Sequence, residues 1–386
     1  TTFAQQPVTV LVSAGKYPRY QTPVVVKLPN PVNSNKPYQL QNQQTGRLVH
    51  AQLPDSVTLV FVMEDSMKAG ATHAYLLKTS TALVRRNTVK VKKTDEGLLV
   101  TSNDKPVFFY HTREVMPPPD SPLYYKRSGF IHPLYSPDGK ILTDDFPANH
   151  AHQHGIFMTW VNTTFKKEFL DFWNQHLQKG TVEHAEVLSI RQGTVCAQLQ
   201  LLLRHKSLKH GEVMKEKWTI TVYPFSSYFL FDLESEQVNT TGDTLFLNKY
   251  HYGGLAFRGT RNWDPFNKKY FQNNWNIVTS EGIKDSAANH TRARWVDAGG
   301  AVDGIVSGAT VFNHPSNFRY PQSIRVHPNM PYWAFAPVVD SAFYLAPGIA
   351  YHSRFRYYVH RGAPLKDVIE KLFTDFTEPV EVRVMK

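Results

Sequence analysis

At 386 residues, 13% of them aromatic, the chain can bury a sizeable core and form two domains, or one large β domain with an appendage. Its 43 Lys and Arg exceed its 32 Asp and Glu by 11, but the densest basic runs, Arg85-Arg86 and Lys90 to Lys93, are short and carry no nucleic-acid-binding motif, so nucleic acid is not an expected partner. The single cysteine, Cys196, excludes an internal disulfide and a thiolate metal cluster, and no apolar run reaches the ~20 residues of a transmembrane helix.

The first residues, Thr1-Thr2-Phe3-Ala4, lack an initiator Met, which reads as a processed product; a periplasmic or secreted setting is expected. Residues 7–29, 48–64 and 72–94 then alternate as strands with Pro, Gly and Asn punctuation, and Gly15-Lys16 reads as a turn. This predicts a small β-sandwich over residues 1–95. Residues 98–115 form a hairpin turning at Asn103-Asp104, and MPPPDSP (116–122) is a stiff connector. KKEFLDFW (166–173) reads as a short helical turn.

Long alternating runs follow, among them HAEVLSIRQGTVCAQLQLLLRH, VMKEKWTITVYP and SYFLFDLESEQVN. Strands of this length suit a large curved antiparallel sheet, so residues 96–386 are expected to form the main domain of an all-β protein. Only the C-terminus predicts a helix, with Pro364 in its first turn and Leu365, Val368, Ile369 and Leu372 at helical spacing.

Four of the 17 histidines lie between positions 132 and 154: His132, His150, His152 and His154. In an extended segment, His150, His152 and His154 would share one face. Such a row can supply a general acid/base pair, hydrogen-bond donors or, completed by Asp144 or Asp145, metal ligands. No HExxH-type spacing supports the metal reading. The bland reading is a loop of solvated histidines.

Three further clusters stand out. Around residues 249–259, Tyr252 and Arg258 flank paired glycines, a platform on which a sugar ring can stack while the guanidinium holds a hydroxyl or carboxylate. A glycine-bent strand with packed tyrosines explains the same residues. Asn313 to Arg319 reads as a polar, proline-broken, site-lining loop carrying His314 and Asn317, whereas 351–356 reads as structural. Glu216 sits mid-strand among apolar neighbours, where an unpaired carboxylate is costly, so it needs partners or a pocket; a pocket would raise its pKa and suit it to act as a general acid. No Gly-x-Ser-x-Gly elbow, P-loop or dinucleotide fingerprint appears.

The run RSGFIHPLYSPDGKILTDDFPANHAHQHGIF resembles the signature of the DUF6807 family, also labelled the PmoA family. The likeness continues through DFW (171–173), YGGLAFRG (252–259), TRARWVDAGG (291–300), HPSNFRYP (314–321) and FRYYVHRG (355–362). It implies a galactose-mutarotase-like β-supersandwich, a fold that hosts epimerases, glycosidases, lyases and noncatalytic sugar modules. By analogy with mutarotases, His150 or His152 would pair with Glu216 as acid and base, and RSGFIHP ties Arg127 and His132 to the site. Gln153-His154 stands where relatives often read His-Arg. The expected function is an exported sugar-acting hydrolase, lyase or epimerase with catalytic His150, His152, His132 and Glu216. Arg127, His154, Tyr252, Arg258, His314 and Asn317 would bind the carbohydrate, and no cofactor or metal is required. The alternatives are a noncatalytic glycan-binding protein and a metal-dependent enzyme centred on the same histidines.

Overall fold

The computed structural model describes residues 8–80, 88–272 and 274–385. Arg85-Arg86, part of the strand expected over 72–94, and the first residues lie outside these. The protein is all-β, with four antiparallel sheets and one α-helix among the described residues. Among the described residues, no helix is long and apolar enough to cross a membrane.

Two eight-stranded sheets face each other and form the main sandwich. The first, called the inner sheet here, runs in the order Ile324–Val326, Tyr332–Phe335, Gly254–Arg258, Ile156–Thr159, Ile131–Leu134, Lys105–His111, Gly97–Ser102 and Val89–Lys93. The second, the long sheet, includes Gly180–Arg191, Ala197–Ser207, Gly211–Tyr223, Phe229–Asn239 and Ala350–Arg361. Alternation explains how they meet. In Ala197–Ser207 every second residue is buried, so Leu199, Leu201 and Leu203 enter the core while their neighbours face outward. Phe108 of the inner sheet packs against Phe231 of the long sheet (ring centroids 5.2 Å), and Phe231 stacks on Tyr357 at 4.5 Å. Aromatic pairs at these separations add attraction beyond the area they bury.

The N-terminal strands form a separate seven-stranded sheet. Val10 and Val12 near one end of it and Val24 and Val26 at the other share one hydrophobic cluster, so the sheet curls over its own core. Its last strand is Glu381–Met385, which returns from the far end of the chain to pair with Thr9–Ser13. Conversely, Val89–Lys93 pairs with Gly97–Ser102 of the inner sheet. The N-terminal unit is therefore stitched to the sandwich across position 95.

Three local expectations compare directly. The hairpin at Asn103-Asp104 is present, with both residues at positive φ (49° and 61°), the geometry of a tight type I′ turn. KKEFLDFW is not a helical turn. Lys166 and Lys167 adopt positive φ as well, and they reverse the chain between strands Thr163–Phe165 and Glu168–Leu170 of a small four-stranded sheet. The C-terminal helix spans Lys366–Thr377. It buries Ile369, Leu372, Phe373 and Phe376, whereas Leu365, placed on its face by the sequence pattern, sits before the first turn and is exposed.

Candidate functional site

One cleft of about 280 Å³ opens at the edge of the inner sheet. Its lining comes from four separated segments: His150, His152 and Gln153; Trp173, Asn174 and His176; His251 and Tyr252; and Arg325, His327, Met330 and Tyr332. A larger hollow of about 390 Å³ lies between the N-terminal sheet and the 190–194 turn. There the bridging polar group, Gln52, is already bonded to the backbone of Val195 and Cys196. The cleft differs in leaving buried polar atoms without protein partners: His150 Nδ1, Trp173 Nε1 and Tyr332 Oη. Burying such atoms unpaired costs about 1–3 kcal/mol each, so three of them in one wall mark the cleft as a candidate site for a polar ligand.

The segment 143–155 does not run extended, so its three histidines do not share a face. Asp145 bridges to His154, and the residues between fold into turns, with His150 N–H donating to Pro147 O and Gln153 N–H to His150 O. Gly155 returns the chain to its strand at φ 51°, where a Cβ would collide with the Ile131 carbonyl. This turn presents His150 and His152 to the cleft, ring centroids 5.6 Å apart, and sends His154 into the interior. His150 also lies 5.6 Å from His327, and His152 5.9 Å from His176, so four imidazoles run in file. Burial lowers the pKa of His150, and it takes His152 down to about 3 and His327 to about 4, with neighbouring imidazoles and Arg258 adding to the effect. These three rings are neutral near pH 7.

A second loop fixes the opposite wall. Asp171 Oδ1 accepts from the backbone N–H groups of Trp173 (2.8 Å) and Asn174 (2.7 Å), and Asp171 Oδ2 accepts from the Asn174 side chain. Asn174 Oδ1 in turn accepts from Tyr252 Oη at 2.9 Å. Trp173 packs edge-on against Tyr252 (5.1 Å) and Tyr332 (6.1 Å). Burial pushes both phenols up, so each keeps its proton and acts as a donor. Arg258 stands behind this wall. It donates to Gln153 Oε1 at 3.0 Å and pairs with Asp264, bracing the turn without lining the cleft.

Of the ten residues marked by the sequence, the cleft thus gathers His150, His152 and Tyr252, with Arg258 supporting them. The others stand elsewhere. His154 is fully buried, with Nδ1 2.6 Å from Asp145 Oδ1 and Nε2 3.2 Å from Gln175 Oε1. His132 bonds Thr143 Oγ1, and burial lowers its pKa to about 3. Arg127 is buried over the Phe157 ring at 5.3 Å, and none of its guanidinium nitrogens has a protein partner. Burial lowers its pKa to about 10. His314 bonds Ser316 and packs on Phe376 of the helix. Asn317 ties its loop to the backbone of Arg354.

Glu216 is a correction to the expected acid–base pair. It does face partners, but inside the sandwich: His205 at 2.7 Å, Trp218 Nε1 at 2.7 Å and Ser235 Oγ at 2.5 Å. Burial alone would raise its pKa; those hydrogen bonds and the His205 charge outweigh burial and lower it. The cleft itself is lined by no Asp or Glu among the described residues. Asp144 and Asp145 do not complete a metal set with His150 and His152: Asp144 pairs with Arg261, and Asp145 with His154. Among the described residues no group of three or more His, Cys, Asp or Glu is arranged to hold a metal ion.

The sequence pattern missed His176, Arg325, His327, Met330 and Tyr332. His176 lies three residues after the DFW motif, and His251 lies inside the 249–259 cluster, so both had a signal. RVHPNMPY (325–332) had none.

A family model described as a family of unknown function, DUF6807, matches residues 97–374. The chain belongs to the DUF6807 family. No curated protein matches this DUF6807 chain. Among solved structures, it is similar to an alpha-mannosidase from Enterococcus faecalis V583 at 10% identity and a TM-score of 0.46; the alignment covers 100% of this chain and 46% of that one, so this chain spans less than half the mannosidase. A galactose mutarotase related enzyme from Lactobacillus acidophilus shares 9% identity at a TM-score of 0.33, covering 70% and 97% of the two chains. A GH36 alpha-galactosidase from Geobacillus stearothermophilus shares 11% at 0.35, covering 71% and 41%. No residue role passes from these proteins to the DUF6807 chain.

Proposed function

We propose that this DUF6807 protein is an enzyme acting on a sugar by imidazole-mediated proton transfer, as a lyase or epimerase. The observation that carries the reading is the cleft wall, where His150 Nδ1, Trp173 Nε1 and Tyr332 Oη lie buried and unpartnered beside neutral imidazoles. A polyhydroxylated ring offers many donors and acceptors to such a wall, and Trp173, Tyr252 and Tyr332 offer it aromatic surface. Glycoside hydrolysis ordinarily needs two carboxylates flanking the scissile bond, and the lining has none, which favours chemistry that moves a carbon-bound or hydroxyl proton. In this reading His150 is the base, because it is the less buried of the two rings and holds a free nitrogen. The Tyr332 hydroxyl donates to substrate oxygen, and the Tyr252 hydroxyl, whose proton goes to Asn174 Oδ1, accepts from a substrate hydroxyl.

The test is turnover by His150→Ala/His152→Ala on a substrate found by sugar and oligosaccharide screening. Loss of a positioned acid–base group lowers rates by about 10²–10⁴-fold. Wild-type turnover in the folded double variant would falsify the reading. A second reading, a noncatalytic glycan-binding protein, is favoured by the same aromatic wall. It is the outcome if sugars bind and are recovered chemically unchanged.

A further inference from the structure

We infer that the cleft selects an acidic sugar, of the hexuronate class, and that Arg325 receives its carboxylate. This rests on the sugar reading above and narrows it. Of the twelve lining residues, Arg325 is the only one with a permanent charge, and no carboxylate faces it across the cleft. Of the arginines nearby, Arg258 pairs with Asp264, Arg261 with Asp144 and Arg292 with Asp340, and Arg127 is buried over Phe157 without lining the cleft. Arg325 lines the cleft and has no carboxylate partner among the described residues.

Its placement suits a clamp. Arg325 lies on the edge strand Ile324–Val326, and its Nη1 donates to Asn289 Oδ1 at 3.0 Å. The same oxygen accepts the Val326 backbone N–H at 3.1 Å, so the strand and the guanidinium are held by one amide. One of five guanidinium donors is used this way, which leaves an anchored planar fork for a two-oxygen acceptor. Held in place beforehand, such a fork loses little freedom on binding. His251 and His327 flank it, and neither supplies negative charge.

Size and charge number then choose the ligand. About 280 Å³ is at the small end for ligand sites, enough for a sugar unit and too small for a length of polyanion. One guanidinium balances the single charge of a carboxylate. A phosphate ester, with a charge of about −1.5 to −2, would be left partly uncompensated.

Calorimetric titration of the full chain with D-galacturonate, D-glucuronate, D-galactose, D-glucose and D-glucose 6-phosphate tests this. The uronates should bind about 10-fold or more tightly than their neutral counterparts, as a charge-assisted pair provides. Arg325→Met should abolish that preference while leaving neutral-sugar affinity within about twofold, and Arg325→Lys should restore part of it. Equal binding of neutral and acidic sugars would overturn the inference and leave the sugar reading standing. So would a preference that survives Arg325→Met, or a phosphate ester that outbinds both uronates. Binding of none of the five sugars would overturn both.

Discussion

At the scale of single residues, the most informative group lies beside the cleft. His154 Nε2 faces Gln175 Oε1, while Gln175 Nε2 donates to Lys126 O, which fixes the amide orientation. His154 must therefore donate from Nε2, which makes Nδ1 an acceptor when the ring is neutral. Burial holds the ring neutral, driving its pKa well below the usual histidine value. Nδ1 then needs a donor, and only a protonated Asp145 supplies one. Burial raises the Asp145 pKa to about 8, with His111 and Arg127 pulling it back only in part. The sign of the pH effect follows. The folded carboxyl keeps its proton up to about pH 8, while the unfolded one releases it near 3.8, so this group's contribution to stability is complete below pH 4 and is lost as pH rises to about 8. Asp145→Asn keeps a donor at this place and removes the titration. Denaturant unfolding at several pH values should show the Asn variant gaining on wild type between pH 4 and 8. An ionised Asp145 paired with a charged His154 would instead leave stability level between about pH 4 and 6, where both groups carry the same charges in the unfolded chain. Asp145→Ala, which leaves Nδ1 buried without a donor, should cost about 1–3 kcal/mol at pH 5.

At the scale of elements, strands were legible because alternation is a local signal. Leu199, Leu201 and Leu203 announce their shared face in the sequence itself, and the Asn103-Asp104 turn is set by two adjacent residues. Lys166-Lys167 was not legible, since lysine has no preference for the positive φ that the surrounding strand pairing imposes there. The cleft was legible only in part. His150 and His152 stood out by clustering, but the imidazole file is completed by His176 and His327, brought in by tertiary contacts that no spacing encodes. Glu216 shows the limit from the other side. That a buried carboxylate needs partners is a local inference and holds, but which partners, a pocket or His205 across the strand pair, depends on register. One loop makes an element-scale prediction. Asp171 accepts two backbone N–H groups and the Asn174 amide, and through Asn174 it positions Tyr252. Asp171→Ala should lower stability by about 1–3 kcal/mol and weaken sugar binding as Tyr252 loses its orientation. Asp171→Asn keeps the two backbone bonds but sets two amide donors against each other at Asn174, and should fall between. Thermal melting and ligand titration on both variants check this, and an unchanged titration in Asp171→Ala would remove the positioning role.

At the scale of the whole molecule, the question is what joins the N-terminal sheet to the sandwich. The helix Lys366–Thr377 lies between them: Ile369, Leu372 and Phe373 share a cluster with Phe312 and Tyr358 of the long sheet and with Val60 of the N-terminal sheet. Beside this apolar contact is a buried ion pair, Arg19 Nη1 to Asp375 Oδ1 at 2.9 Å, with both side chains almost inaccessible. Arg19 also donates to Ala14 O and Glu378 O, and Asp375 also accepts from Thr22 and Lys371. An exposed pair would be worth less than about 1 kcal/mol. Here removing one partner leaves the other charge buried, so Asp375→Ala should cost about 3–5 kcal/mol. Replacing both, as Arg19→Met/Asp375→Leu, removes both desolvation penalties and should recover most of that loss. Urea unfolding of wild type, Arg19→Met, Asp375→Leu and the double variant closes the cycle, with Asp375→Ala measured beside it. The expected result is strong non-additivity, with the double variant more stable than Asp375→Ala alone. If the single losses are small and simply add, the pair does not join the two units, and the helix holds them through its apolar face alone.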